Sequence, residues 1–420
     1  MPGELLRVVT AGSVDDGKST LVGRLLHDAK AVLVDQMTAV EVASERRGYT
    51  GADLALLVDG LRAEREQGIT IDVAYRYFAT ARRTFILADT PGHVQYTRNT
   101  VTGASTADVA VILVDARSGV VDQTKRHLAV ASLLRVSEIV LAVNKMDLVD
   151  FAEPVFDQIV ADFATAASRL DIDHFTPIPV AALSGDNVVD RSMSMDWYSG
   201  PALLEFLEEV QPAIGPELPA RFPVQVVIRP RTAEHPDYRG YAGRVEAGVL
   251  HRGDKVTVLP SGRISEVVGI DTPTQQLEVA PAGRSVTIRL ADEIDIARGD
   301  LIAAVGEPAP IVTQELQATV CWLTDRPLRA GDRYQLRHTT RDVRAIVTGI
   351  ESKLDVATVS SIQAGELDLN DIGTVRIRLA EPVIVDPYRV NRSTGSFLLV
   401  DESSGATVAA GMVGAPSTTQ

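Results

Sequence analysis

The feature that most constrains this chain is the octapeptide Gly12-Ser13-Val14-Asp15-Asp16-Gly17-Lys18-Ser19, a G-x-x-x-x-G-K-[ST] loop. An apolar run, Leu6–Ala11, precedes it, and an amphipathic pattern, Leu21–Leu26, follows it. A strand, a glycine-bearing turn and a helix N-terminus in that order aim several backbone N–H groups and the positive end of a helix at one point, which suits phosphate oxygens. Lys18 adds a point charge for β- and γ-phosphates, the Ser19 hydroxyl suits Mg²⁺, and Thr20 continues the helix start. Such a loop belongs at the C-terminal edge of a mainly parallel sheet, so the N-terminal region is expected to be α/β.

The rest of the N-terminal half agrees with that expectation. Phe85–Ala88, Val109–Val114, Ile139–Val143 and Ile178–Leu183 are short runs of aliphatic residues, each ending at a polar or glycine-containing loop. They read as strands buried on both faces. The proline-rich stretch 211–221, QPAIGPELPAR, cannot continue a helix and reads as a linker. Beyond it the period shortens to alternating strands such as Val224–Ile228 and Asp254–Val258 between Gly, Pro and Asp turns. A second break at Gly306–Pro310 divides this all-β part in two. The expected organisation is an α/β phosphate-loop domain over 1–210, a linker at 211–221, and two small β-barrels at 222–306 and 311–414. The small polar residues Ala415–Gln420 are expected to fray.

Two further motifs specify the ligand. Asp89-Thr90-Pro91-Gly92 follows the run FILA, which puts a carboxylate at a strand end, where Mg²⁺ is bound through water, and lets Gly92 bring its N–H to a γ-phosphate. Asn144-Lys145-Met146-Asp147 follows IVLAV. The Asp147 carboxylate can accept from both N1–H and the N2 amino group of guanine, and adenine presents no such pair. The expected ligand is therefore GTP with Mg²⁺.

In this order the motifs resemble the translation-factor class of GTPases, the group that contains elongation factor Tu. The resemblance extends to Gly68-Ile69-Thr70-Ile71, the family's first switch, and implies that Thr70 binds Mg²⁺ together with Ser19 and, through water, Asp89. It also implies that His93 orients the attacking water. The family's Ser-Ala-Leu segment is here Ala181-Ala182-Leu183, which removes a hydroxyl and leaves the Ala182 backbone N–H to meet the guanine O6, with Leu183 beside it. Asp16 stands where elongation factors carry histidine.

Longer stretches are similar to a narrower group, the GTPase subunits of bacterial sulfate adenylyltransferase: Ala63–Phe78, His93–Asn99, Trp197–Pro201, Arg221–Gln225 and Ser393–Phe397. That resemblance spans about residues 5–414. It implies a heterodimer or higher assembly with a smaller catalytic subunit that makes adenosine 5′-phosphosulfate and pyrophosphate from ATP and sulfate, driven by GTP hydrolysis on this chain. The sequence carries no second phosphate loop and no SGGxDS-like loop, so the adenylation chemistry is expected on the partner. Some relatives carry a C-terminal kinase domain for adenosine 5′-phosphosulfate; such a domain is expected on a separate protein or on a longer form of this chain.

Charge and composition narrow the partners. A net charge of −15 argues against an extended nucleic-acid surface and so against the competing reading, an RNA-delivery factor. The Arg333–Arg344 stretch, RYQLRHTTRDVR, is expected to be an outward face of barrel strands. Met193 and Met195 are expected to pack in a loop. One cysteine, Cys321, excludes an intrachain disulfide. No apolar run approaches the ~20 residues that cross a bilayer, and MPGELLRVVTAG has no leader pattern, so a cytoplasmic protein without membrane contact is expected.

Overall fold

The computed structural model describes residues 5–32, 34–46, 52–57, 72–93, 96–211, 218–230, 237–306 and 308–414. The chain forms two compact units, Met1–Ala213 with Asp355–Ser360, and Ile214–Leu354 with Ser361–Gln420.

In the first unit a six-stranded sheet has the order β2-β3-β1-β4-β5-β6, with β1 Leu5–Gly12, β2 Ala74–Ala79, β3 Thr84–Asp89, β4 Val109–Asp115, β5 Glu138–Asn144 and β6 Thr176–Pro179. The pairs β1–β3, β1–β4, β4–β5 and β5–β6 are parallel, whereas β2 is an antiparallel edge hairpin on β3. Every residue of β4 is buried, as a central strand covered on both faces requires. The helices are α1 Lys18–Asp28, α2 Val34–Arg46, α3 Thr97–Ala104, α4 Asp122–Leu133, α5 Glu153–Ser168 and α6 Leu203–Glu209. Leu21, Val22, Leu25 and Leu26 put the apolar stripe of α1 into one core with Leu6, Val8, Phe85, Leu87, Leu113 and Val140. Burying a side chain such as Phe85 contributes about 1.5–3 kcal/mol, and the cluster fixes the C-terminal ends of β1, β3, β4 and β5 side by side.

The last strand of this sheet is shorter than its aliphatic run. Ile178–Leu183 was expected to be one run, but β6 ends at Pro179; Ala181 makes only an isolated bridge to Asp186, and the chain turns at Gly185 (φ 95°). Strand β2 was not among the expected runs because its Tyr75-Arg76-Tyr77 core alternates on a half-exposed edge.

The second unit contains two closed antiparallel rings. In the first, Lys255–Leu259, Leu301–Ala304, Arg221–Ile228, Gly240–Arg244, Ser285–Leu290 and Arg263–Asp271 pair in that order, and the last pairs back to the first. In the second, the ring runs Arg333–His338, Ser396–Val400, Thr407–Val413, Ile311–Trp322, Ile372–Val385 and Arg341–Asp355, again closing on its first strand. Phe222, Tyr241, Val256 and Ile288 fill one ring; Trp322, Leu336, Ile377 and Leu399 fill the other. Arg221, read as the last linker residue, is instead the first residue of a barrel strand. The Arg333–Arg344 stretch is a hairpin with Arg333, Arg337 and Arg344 on its outer face. Met195 packs in the core, but Met193 is 95% exposed and packs nothing. Among the described residues no helix is long and apolar enough to cross a membrane. The expected fraying at 415–420 lies outside the described residues.

Candidate functional site

The turn after β1 is held from within. Gly17 has φ 88°, and a Cβ there would lie 2.5 Å from Asn144 Nδ2, so only glycine permits the turn and the contact together. Ser13 N–H donates to Asp16 Oδ2 at 2.5 Å, and Lys18 Nζ donates to the carbonyls of Gly12 (3.0 Å) and Ser13 (2.6 Å). Burial pushes the Asp16 carboxyl up, against the pull of Lys18, and burial pushes the Lys18 amine down. Val14 and Asp15 are exposed at the tip, whereas Gly12, Asp16 and Lys18 are buried. The turn wraps one buried ammonium, which the carbonyls of Gly12 and Ser13 hold.

Asp89, at the end of β3, is fully buried. Its Oδ1 accepts from Thr10 Oγ1 at 2.7 Å and its Oδ2 from Ser19 Oγ at 2.9 Å. Thr90 Oγ1 donates to the Thr10 carbonyl at 2.6 Å, which locks the β3 exit to β1. Pro91 is buried and Gly92 half-buried. A Cβ on Gly92 would meet Lys18 Nζ and stand 2.7 Å from the Ser13 carbonyl carbon, so this glycine brings two loops into direct contact. His93 is exposed, with its ring edge-on to Tyr96 at 6.1 Å between centroids. Thr70 and the whole Gly68–Ile71 segment lie outside the described residues, as do Val94 and Gln95.

The third wall comes from β5. Asn144 Nδ2 donates to the Asp16 carbonyl at 2.7 Å, and its Oδ1 accepts the Ala182 N–H at 3.0 Å. Lys145, left-handed at φ 63°, donates through Nζ to the Asp15 carbonyl. Met146 is fully buried and opens a 3₁₀ turn, Met146–Val149, that carries a half-buried Asp147. The Ala182 N–H, expected to face a ligand, is thus engaged by Asn144 in this structure, and Ala182 is only 2% exposed. Leu183, by contrast, is 72% exposed.

Several positioning residues escaped the sequence reading. Arg24 of α1 donates to the carbonyls of Ala182 (3.2 Å) and Leu183, tying that loop to the helix behind the phosphate turn. Thr10 orients Asp89. His127 of α4 is buried, accepts from Gln123 Nε2 at 3.2 Å through its own Nε2, and is pushed down to about 3 by burial, then by the charge of Lys18. None of these belongs to a contiguous motif.

The donor set fits a hard cation. The Ser19 hydroxyl and the Asp89 carboxylate converge at 2.9 Å as neutral and anionic oxygen donors, the kind that suits Mg²⁺ with several retained waters and ligand phosphates. Among the described residues there is no cluster of three or more His, Cys, Asp or Glu for a different metal.

Comparison with known proteins gives this geometry a family. Residues 3–213 match the model described as elongation factor Tu GTP binding domain, and 315–414 match GTP-eEF1A C-terminal domain-like. Sulfate adenylyltransferase subunit 1 of Aeromonas salmonicida is 51% identical over 414 residues, covering 97% of this chain and 86% of that protein. The chain belongs to the sulfate adenylyltransferase subunit 1 family. Another member, from Laribacter hongkongensis, is 50% identical over 98% of this chain and 85% of its own. The bifunctional enzyme CysN/CysC of Mycobacterium tuberculosis strain H37Rv is 54% identical over 412 residues, 97% of this chain, which spans 67% of that protein. The name subunit 1 implies a second subunit in those proteins, and the N-terminal half of this chain carries a GTP-binding domain of the elongation factor Tu kind.

Proposed function

We propose that this chain is the GTP-hydrolysing regulatory subunit of a heterodimeric sulfate adenylyltransferase, in which a smaller subunit makes adenosine 5′-phosphosulfate and pyrophosphate from ATP and sulfate. The observation that carries the reading is the convergence of three loops, after β1, β3 and β5, on the Gly12–Ser19 turn, in a chain half identical to sulfate adenylyltransferase subunit 1. The division that goes with it is 1–210, 211–221, 222–306 and 311–414, with the barrel strand beginning one residue early at Arg221.

In this reading the nucleotide exchanges internal bonds for its own. Lys18 leaves the Gly12 and Ser13 carbonyls for β- and γ-phosphate oxygens, and Ser13 N–H leaves Asp16. Gly92, already against Lys18, brings its N–H to the γ-phosphate. Asp147 accepts from the guanine edge, and Asn144 keeps the base loop registered to the phosphate loop. Ser19, Thr70 and, through water, Asp89 would hold Mg²⁺, which when bound neutralises charge on the transferring phosphoryl group. His93 orients the attacking water; hydrolysis needs positioning and electrostatics more than covalent chemistry, so one imidazole suffices.

Coupling follows from differential affinity. Forming a phosphosulfate anhydride is uphill, and GTP hydrolysis can drive it only if the partner binds the triphosphate and diphosphate states unequally. The segments that leave the γ-phosphate position, Thr70 and Gly92–Asn99, are the surface that differs. The reading is tested by purifying the chain with its small subunit and following adenosine 5′-phosphosulfate with and without GTP. GTP should raise the yield beyond that set by ATP and sulfate alone; a yield and rate indifferent to GTP would refute the coupling.

A further inference from the structure

Beside the base-binding motif lies a charge cluster that none of the site residues above accounts for. Asp115 is the last residue of β4, where the chain leaves the sheet, and is 4% exposed. Its Oδ2 lies 2.9 Å from Lys145 Nζ and accepts from Arg117 at 2.6 Å; its Oδ1 accepts from Arg117 Nε at 3.0 Å and from Arg117 backbone N–H at 2.9 Å. Burial pushes this carboxyl up, but the hydrogen bonds from Arg117 and then from Lys145 outweigh it and hold the group well below the usual carboxylate range. Asp115 is therefore ionised and fully committed, and it stands near enough to the phosphate loop for its charge to act on Asp16.

We infer that Asp115 is a positioning residue for guanine-nucleotide binding: its carboxylate holds the Lys145 side chain across the phosphate-loop tip before any nucleotide arrives. Three observations support the role. Lys145 also donates to the Asp15 carbonyl, so the ammonium is clamped between β4 and the phosphate loop. The Ala116 N–H donates to the Asn144 carbonyl at 2.9 Å, so the β4 exit moves with the base motif. Arg117, fork-bonded to Asp115, is close enough to Asp147 for the Asp147 charge to act on it, which places the cluster on the base side. A lysine side chain has many rotamers, and fixing it in advance removes an ordering cost from binding.

The inference rests on the proposed nucleotide site and is separable from it. In the full chain, binding of a fluorescent GDP derivative would be measured for Asp115→Asn, Asp115→Ser, Lys145→Met and the Asp115→Asn/Lys145→Met pair. Asn and Ser can both accept the Arg117 backbone N–H that shapes the turn, but neither carries the charge that holds Lys145. We expect each Asp115 variant to bind about tenfold more weakly, with an unchanged turnover at saturating GTP, and Asp115→Asn to cost less than about twofold in the Lys145→Met background. Wild-type affinity in either Asp115 variant, or the same tenfold loss in both backgrounds, would overturn the inference and leave the nucleotide site standing. A wild-type chain that binds no GDP derivative would overturn both.

Discussion

Asn144 and Asp16, 128 residues apart in sequence, are joined by a 2.7 Å hydrogen bond from the Asn144 amide to the Asp16 carbonyl. The same side chain accepts the Ala182 N–H at 3.0 Å, so one amide spaces the phosphate turn from the base loop. The ribose limits how far a base can stand from its phosphates, and a site that reads both needs its two loops held at a matching spacing.

Replacing Asn144 by Ala should therefore damage stability and binding together. The Asp16 carbonyl and Ala182 N–H would each lose a buried partner, at about 1–3 kcal/mol per group. Urea unfolding should show a lower midpoint, and nucleotide affinity should fall more than stability alone explains. An unchanged midpoint would mean that the amide is not a structural spacer.

His93→Ala separates hydrolysis from binding. His93 is exposed and touches Tyr96 at a ring edge, so its loss should leave the fold intact. Single-turnover GTP hydrolysis should slow by roughly a hundredfold, the low end for a positioned acid-base group, with GTP affinity within about twofold. Unaltered hydrolysis would remove the residue from the reaction.

His127 predicts an acid-sensitive fold. Its folded value of about 3 lies below the ordinary 6.5, so the neutral ring is the folded form. Between those values the unfolded chain takes up a proton that the folded chain refuses, and stability present above pH 6.5 is lost as pH falls toward 3. At about pH 5 the loss from this residue is on the order of 2 kcal/mol. Thermal unfolding of the wild type at pH 7.5 and 5 should differ more than that of His127→Gln; equal differences would contradict the assignment.

Within the barrel unit, Arg221 and Asp386 form a fork of two 3.2 Å bonds with both side chains essentially unexposed. Thr394 Oγ1 adds a 2.5 Å bond to Asp386, and the carbonyls of Pro219 and Pro308 accept from the guanidinium. Asp386→Asn or Arg221→Met should each destabilise by about 3–5 kcal/mol by stranding a buried charge, whereas an apolar replacement of both should cost less. Chemical denaturation of the three variants checks the order; a double variant as unstable as the sum would contradict it.

The contrast between legible and hidden residues has a physical cause. Gly12–Ser19, Asp89–Gly92 and Asn144–Asp147 stand out in the sequence because each is a run of adjacent residues on one turn, and the structure brings the three turns together. The alternating barrel strands and the buried parallel runs were readable from period and length. Arg24, Asp115 and His127 also face groups distant in sequence, the Ala182 carbonyl, the Lys145 ammonium and the Lys18 charge, and no local pattern marks them. The Arg221–Asp386 pair spans 165 residues and disguised its first member as linker. Ile178–Leu183 misled because aliphatic character alone does not show where a strand stops and a turn held by Asn144 and Arg24 begins.

The most direct test of the central claim is displacement of a bound fluorescent GDP derivative, with magnesium present, by GTP, ATP and XTP, in the wild type and in Asp147→Asn. GTP should displace it and ATP should not, and the variant should transfer its preference from guanine toward xanthine, because the new amide still accepts N1–H through its oxygen while its NH₂ donates to the 2-carbonyl that replaces the guanine amino group. Equal displacement by ATP, or a variant that keeps wild-type GTP affinity, would contradict the account.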